Sequence, residues 1–374
     1  MDADAIVLTE DGQLEQRRIA VPEIGPDDVL VKVERSGVCG SDVHMWKHGL
    51  DLDYPIVPGH EFVGVIEEMG ENVRQDAARR PIAVGDHLTV VPGISCGDCW
   101  YCDNMPTRPL TCNSRDVHGF RSVNDAPHLH GGMSQYVVLE DRAHYYSLPD
   151  HLDPRLGALV EPLAVASHAV ERAYPPGIPH VREGFGMGRS IAVQGSGPVG
   201  LLTIATAAAA GAGQVIAIDM LEDRLDMAER FGATDTIDLT DYEGDEFIEE
   251  VAARTPSGDG PDVTVEAVGH PSAFKQALEI PHNGGTVVEV GHYFSSGTTQ
   301  VDPSDLIHRQ LDIYGSLAYP PEQFDTAISL LERTDDRFPY AELMNYEVGL
   351  DEATAAFQKQ ADGEAYRAAI RPWA

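Results

Sequence analysis

Ser190-Ile191-Ala192-Val193-Gln194-Gly195-Ser196-Gly197-Pro198-Val199-Gly200 is the stretch that decides the fold of this chain. A short apolar run enters three glycines spaced Gly-x-Gly-x-x-Gly, and an alanine-rich segment follows. That order predicts a buried strand, a tight turn and a helix, the context in which this spacing binds a dinucleotide. Gly195 permits the turn, Gly197 lets the backbone approach a pyrophosphate, and Gly200 allows close helix–strand packing. The helix starting at Pro198, which has no N–H of its own, offers unpaired N–H groups from Val199 onward and a positive dipole end to the phosphates. The next apolar run, Val215–Ile218, ends at Asp219. A carboxylate there accepts hydrogen bonds from a ribose and repels a 2′-phosphate, so NAD is expected rather than NADP. Arg224 is the nearest cation and the one local counter-argument.

Further strands are expected at Thr236–Leu239, Val263–Val268, Thr286–Val290 and Leu311–Tyr314, with helical segments between them. The alternation predicts an α/β fold, a doubly wound parallel sheet covered on both faces. The sequence before it is rich in short strands and turns, which predicts a separate β-rich domain. Two domains suit 374 residues, and 43% hydrophobic residues are enough to fill their cores. The Pro/Gly-rich segment Tyr174–Gly188 is expected to form an exposed insertion.

The formal charge is −35, from 61 acidic and 26 basic residues. Nucleic acid and anionic membrane surfaces would repel such a chain. The only lysines are Lys32, Lys47, Lys275 and Lys359. Abundant carboxylates with little lysine predict a halophilic protein, whose self-repulsion is screened by salt. The apolar run from Pro198 to Ile218 is long enough to span a bilayer. Gly211, Gly213 and Gln214 interrupt it, so it reads as a buried helix followed by a buried strand. The opening residues, MDADAIVLTEDG, carry neither a basic nor an apolar signal region, and a cytoplasmic location is expected.

Four of the five cysteines, Cys96, Cys99, Cys102 and Cys112, fall in one turn-rich segment. Their spacing offers four thiolates to one ion, and zinc accepts a closed tetrahedral set. Such a site has no open position, so its expected role is structural. A redox pair is the alternative, but that motif usually opens a helix after a strand. Cys39 stands apart, in Cys39-Gly40-Ser41-Asp42-Val43-His44. His60 follows Pro58-Gly59, and Glu161 lies in the apolar run Leu159–Ala166, where an ionised carboxylate is costly without a cation. Thiolate, imidazole and carboxylate together make an open, catalytic type of zinc site. Spacing alone does not join three residues so far apart, and each singly is compatible with a structural role.

These segments, in this order, resemble the zinc-containing medium-chain dehydrogenase/reductase superfamily. The resemblance rests on Gly37–His44, Gly59-His60-Glu61, the four-cysteine lobe, Gly132–Val137, Glu161-Pro162 and Gly195–Gly200. Glutamate at 161, and the run Cys39–Trp46 with Lys47-His48-Gly49, are closest to the sorbitol (polyol) and threonine dehydrogenase branch. The resemblance implies a GroES-like catalytic domain over 1–162, with the zinc lobe at about 93–115, a Rossmann domain over 163–316, and a return to the catalytic domain over 317–374. It implies two zinc ions per chain, one held by Cys39, His60 and either Glu61 or Glu161. Hydride would pass from a secondary alcohol or polyol to NAD, with Ser41 and His44 moving the proton and Asp42 orienting His60. L-threonine or a simple alcohol is the alternative substrate, and a non-enzymatic dinucleotide-binding relative the alternative class. The family also implies a homo-oligomer, dimer or tetramer.

Overall fold

In the computed structural model, which describes residues 1–175 and 183–374, the glycine turn joins the strand Ser190–Gln194 to the helix Pro198–Ala209. Every residue of that strand is buried, as expected for a strand covered on both faces. The apolar run to Asp219 resolves as that helix and the strand Gln214–Asp219. Among the described residues no helix is long and apolar enough to cross a membrane.

The chain divides into two compact units. One comprises residues 162–318 and 333–339. Its six-stranded sheet runs in the order Asp235–Asp238, Gln214–Asp219, Ser190–Gln194, Val263–Glu266, Thr286–Glu289 and Asp312–Gly315. All five pairings are parallel. Chain order reverses beside Ser190–Gln194, which makes its carboxyl end the switch point where such sheets bind ligands. Ala192, Ile216, Ile218 and Ile237 from the sheet pack with Phe247, Val251 and Ile280. Phe338, from the short 333–339 segment, stacks on Phe231 with ring centroids 6.3 Å apart. Of the Tyr174–Gly188 segment, residues 176–182 lie outside those described. The rest is not uniformly exposed: Met187 is 91% exposed, but Phe185 is buried.

The other unit comprises residues 1–161, 319–332 and 340–374. It is built around the strand Val29–Gly37, antiparallel to Glu61–Met69, Tyr136–Leu139 and Ala368–Ile370. His87–Val90 and Tyr145–Ser147 extend the sheet on one side and Tyr346–Val348 on the other. Alternating apolar residues supply its core, including Val29, Val31, Val33, Phe62, Ile66, Leu88, Val90 and Val137. The register places Gly37 opposite Glu61 on one neighbour and opposite Ala369 on the other. Residues more than 300 positions apart are thereby set at one end of one sheet.

Candidate metal and cofactor sites

Past Gly37 the chain turns into the helix Gly40–His48, with Cys39 as its N-cap. Asp42 Oδ2 accepts the Cys39 N–H at 2.9 Å, and its Oδ1 accepts the Gly59 N–H at 3.3 Å. One fully buried carboxylate thus ties the loop of Cys39 to the loop of His60. His60 Nδ1 lies 3.5 Å from Asp42 Oδ1, and Nε2 lies 3.2 Å from Ser41 Oγ. Burial works against protonation of His60, yet Asp42 and Cys39 outweigh it and hold the imidazole well above its usual pKa.

Glu61 opens its strand against Gly37, where a Cβ would stand 2.5 Å from Glu61 Oε2. A side chain at 37 would therefore evict the carboxylate. Arg367 Nη1 donates to that same Oε2, and both residues are buried. Burial disfavours the Arg367 charge, but Glu61 overcomes that and raises its pKa. Glu161 accepts a hydrogen bond from the Tyr319 hydroxyl at 2.6 Å. Burial, with repulsion from Glu61, pushes the Glu161 carboxyl up to about 7.

Ligand atoms of Cys39, His60 and Glu61 all lie within 4.8 Å of one another, and Glu161 is outside that set. Glu61 Oε1 is buried with no hydrogen-bond partner. An orphaned carboxylate oxygen beside a thiol and an imidazole suits a zinc ion, which accepts N, O and S donors. The donor set fits the expected metal.

The four-cysteine lobe fits zinc by a separate measure. Cys99 caps the helix Trp100–Asn104, which carries Cys102, and Cys112 ends the 3-10 turn Pro109–Thr111. All four cysteines are free thiols. Four of the Sγ···Sγ separations are 3.4, 3.6, 3.9 and 3.9 Å. A regular tetrahedron with Zn–S of ~2.3 Å has edges of about 3.8 Å. A disulfide would need about 2.05 Å. The Asn113 and Cys102 N–H groups draw the Cys99 thiol down to about 6, toward the thiolate a metal requires.

At the carboxyl end of the parallel sheet, Gly195 has φ +92°, in the left-handed region, which suits glycine. A Cβ on Gly200 would sit 1.8 Å from the Gly195 carbonyl oxygen. Helix and strand approach too closely there for any side chain. A Cβ on Gly197 would meet nothing within 4 Å. The backbone at Gly197, N-cap of the helix Pro198–Ala209, is thus bare toward open space, as a dinucleotide cradle requires. Asp219 Oδ2 accepts the Ser196 N–H at 2.6 Å, and Oδ1 accepts the N–H groups of Met220 and Leu221 at 2.7 and 3.2 Å. Arg224 lies in the first turn of the next helix, Glu222–Arg230. Met220, Leu221 and Val268 are exposed by 61, 44 and 51% at these strand ends.

The structure therefore gathers Cys39, Ser41, Asp42, His60 and Glu61 at one place. His44 stands one helical turn after Ser41, its ring 4.9 Å from that of His48. Burial, then the neighbouring His48, lower the His44 pKa. Sequence reasoning missed Arg367 and Tyr319. The one available signal for Arg367 was a lone arginine before the apolar run Ala368–Ile370. Tyr319 gave none.

The model of the alcohol dehydrogenase GroES-like domain matches residues 25–150, and that of the zinc-binding dehydrogenases matches residues 198–333. A 5-exo-hydroxycamphor dehydrogenase of Pseudomonas putida is 33% identical over 95% of this chain and 95% of its own. Sorbitol dehydrogenase of Mus musculus is 30% identical over 98% of this chain and 95% of its own. Among solved structures, an alcohol dehydrogenase from Thermotoga maritima superposes with a TM-score of 0.90 at 26% identity, covering 99% of both chains.

Proposed function

This chain belongs to the zinc-binding, GroES-like alcohol dehydrogenase family, and from that premise we propose that it oxidises a secondary alcohol or polyol, with NAD as the hydride acceptor. The observation that carries the reading is the cluster of Cys39, His60 and Glu61, with Ser41 Oγ against the same imidazole. Glu61 is assigned as the direct carboxylate ligand because its Oε1 lacks a partner, whereas Glu161 is engaged by Tyr319. Zinc in that set supplies Lewis acidity to the substrate hydroxyl, and NAD supplies the hydride acceptor.

The protein's own groups do the remaining work. Asp42 faces the Nδ1 side of the His60 ring at 3.5 Å and favours its orientation by charge. Ser41 accepts the proton leaving the substrate hydroxyl and passes on its own. His44, on the same helix face one turn later, delivers it to water. The lowered pKa of His44 favours the neutral imidazole, the form that can take up a proton. Arg367 fixes one oxygen of Glu61 and leaves the other for the metal. The second zinc, in the four-cysteine lobe, is structural.

NAD is favoured over NADP by Asp219, whose buried carboxylate at the strand end would repel a 2′-phosphate. The substrate class is supported by the relatives named for hydroxycamphor and for sorbitol, both hydroxylated compounds. The acidic surface supports function at high salt, and the edge strand Asp312–Gly315, with Ile313 and Leu317 exposed, supports assembly of identical chains.

The deciding experiment is a panel of polyols, L-threonine and simple secondary alcohols, run in molar salt with each nicotinamide cofactor. Polyol or secondary-alcohol turnover with NAD that a chelator abolishes supports the proposal. Turnover that survives complete zinc removal, or that requires NADP, overturns the corresponding part.

A further inference from the structure

Adjacent parallel strands Val263–Glu266 and Thr286–Glu289 both end in glutamate, and the register pairs Glu266 directly with Glu289. Neighbouring strands lie about 4.8 Å apart, so two carboxylates on one face are forced together. Glu266 is completely buried. Its Oε1 accepts the N–H groups of Val268 and Gly269 at 2.7 and 2.9 Å. Its Oε2 is buried with no hydrogen-bond partner, and so is Glu289 Oε2. His292 Nδ1 lies 3.0 Å from Glu289 Oε1 and 3.5 Å from Glu266 Oε2. The intervening Gly291 leaves room: a Cβ there would stand 2.5 Å from Glu266 Oε2.

We propose that Glu266, Glu289 and His292 form a binding site for a divalent metal ion, separate from the two zinc sites of the other unit. Donor atoms of the three residues lie within 4.8 Å of one another, near enough for small side-chain rotations to close bonds of about 2.0–2.2 Å on one ion. Two carboxylate oxygens and one imidazole nitrogen suit a borderline or hard ion such as Zn²⁺ or Mn²⁺. Without a cation, two buried carboxylate oxygens go without a hydrogen bond, a costly arrangement. His292, with its side chain 22% exposed, gives the ion a route from solvent. The ion would brace the turn after Glu266, where Ala267 and Val268 pack against Gly195 of the glycine loop. Nothing in the proposed dehydrogenase chemistry uses these three residues.

Mn²⁺ is the selective probe, since four thiolates or a zinc-filled site give it no purchase. The enzyme brought to two zinc ions per chain by elemental analysis, so that zinc does not already fill Glu266, Glu289 and His292, is titrated with Mn²⁺ in molar sodium chloride to suppress binding by the acidic surface. Loss of the free aquo-ion's paramagnetic resonance signal reports binding. A single Mn²⁺ should leave solution per chain. His292→Ala and the isosteric Glu289→Gln should each weaken that binding by about tenfold or more, while Glu243→Gln, at an exposed acid of the same unit, leaves it unchanged. Melting curves establish that each variant is folded. The proposal fails if the wild type withdraws no Mn²⁺, a result independent of any variant's folding. It fails equally if folded His292→Ala or Glu289→Gln binds as tightly as the wild type.

Discussion

Lowering the pH from about 7 to about 5 should destabilise this protein through two buried histidines that are not among the proposed zinc ligands. His118 and His130 are 2 and 1% exposed. The Arg121 charge disfavours protonation of both rings. The His118 Nδ1 lies 3.1 Å from the His130 carbonyl oxygen, and neither His130 ring nitrogen has a partner. Burial, opposed by the His130 carbonyl, pulls His118 from 6.5 down to about 4. Burial, aided by Arg121 and His118, pulls His130 from 6.5 to about 3. Both folded values lie below the unfolded one, so the unfolded chain binds more protons. The stability is therefore complete above pH ~6.5 and lost as the pH falls below it. Each histidine costs about 1.4 kcal/mol per pH unit in that window, hence about 2 kcal/mol each at pH ~5 and about 4 kcal/mol for the pair. With a urea dependence of about 2–3 kcal/mol per molar, the unfolding midpoint should drop by roughly 1.3–2 M. The assay is urea unfolding at both pH values in fixed molar salt, on the wild type and on His118→Asn/His130→Leu. The double variant keeps every other acid-sensitive group, including the zinc ligands, so its own drop is the background. Equal drops in the two proteins, or no drop in the wild type, would refute the reasoning.

Three further outcomes follow from named contacts. Ser41→Ala should lower kcat by about a hundredfold with zinc content unchanged, because it removes a proton carrier and no metal ligand; steady-state kinetics with elemental analysis checks both halves. Arg367→Met should cost about 3–5 kcal/mol in the zinc-free protein, where it strands the buried Glu61 charge, and a denaturant titration of metal-stripped wild type and variant measures it. Cys112→Ser should remove one zinc per chain and depress the melting temperature, while the zinc held by Cys39 and His60 remains, as metal analysis of the purified variant will show.

Much of the molecule was legible in its sequence because its signals are local. The glycine turn, its strand and its helix lie within one continuous stretch, and backbone sterics at Gly195 and Gly200 dictate both the residues and the shape. The four cysteines are equally local, as short loops alone bring them together. The other metal cluster is different. Cys39 and His60 belong to separate loops, and what joins them is Asp42, a buried acid indistinguishable in sequence from a helix-start aspartate. Arg367 reaches Glu61 only because Gly37 pairs with both of their strands. Such a contact depends on sheet register, which residue spacing does not encode. The choice between Glu61 and Glu161 was unreadable for the same reason, since it turns on which oxygen is already engaged. Tyr319 engages one Glu161 oxygen, and Arg367 one Glu61 oxygen, each from a distant part of the chain.

Asp219 carries one more implication, for how this enzyme's cofactor preference can change. The residue proposed to meet the ribose also fastens the Ser196 amide and both amides that follow it. A replacement chosen only to welcome a phosphate would release three backbone donors and loosen the loop that must grip the pyrophosphate. Mutational paths toward the phosphorylated cofactor are thus narrowed at their first step. The passable ones pair a short side chain able to cap those amides, such as asparagine or serine, with a new cation placed elsewhere.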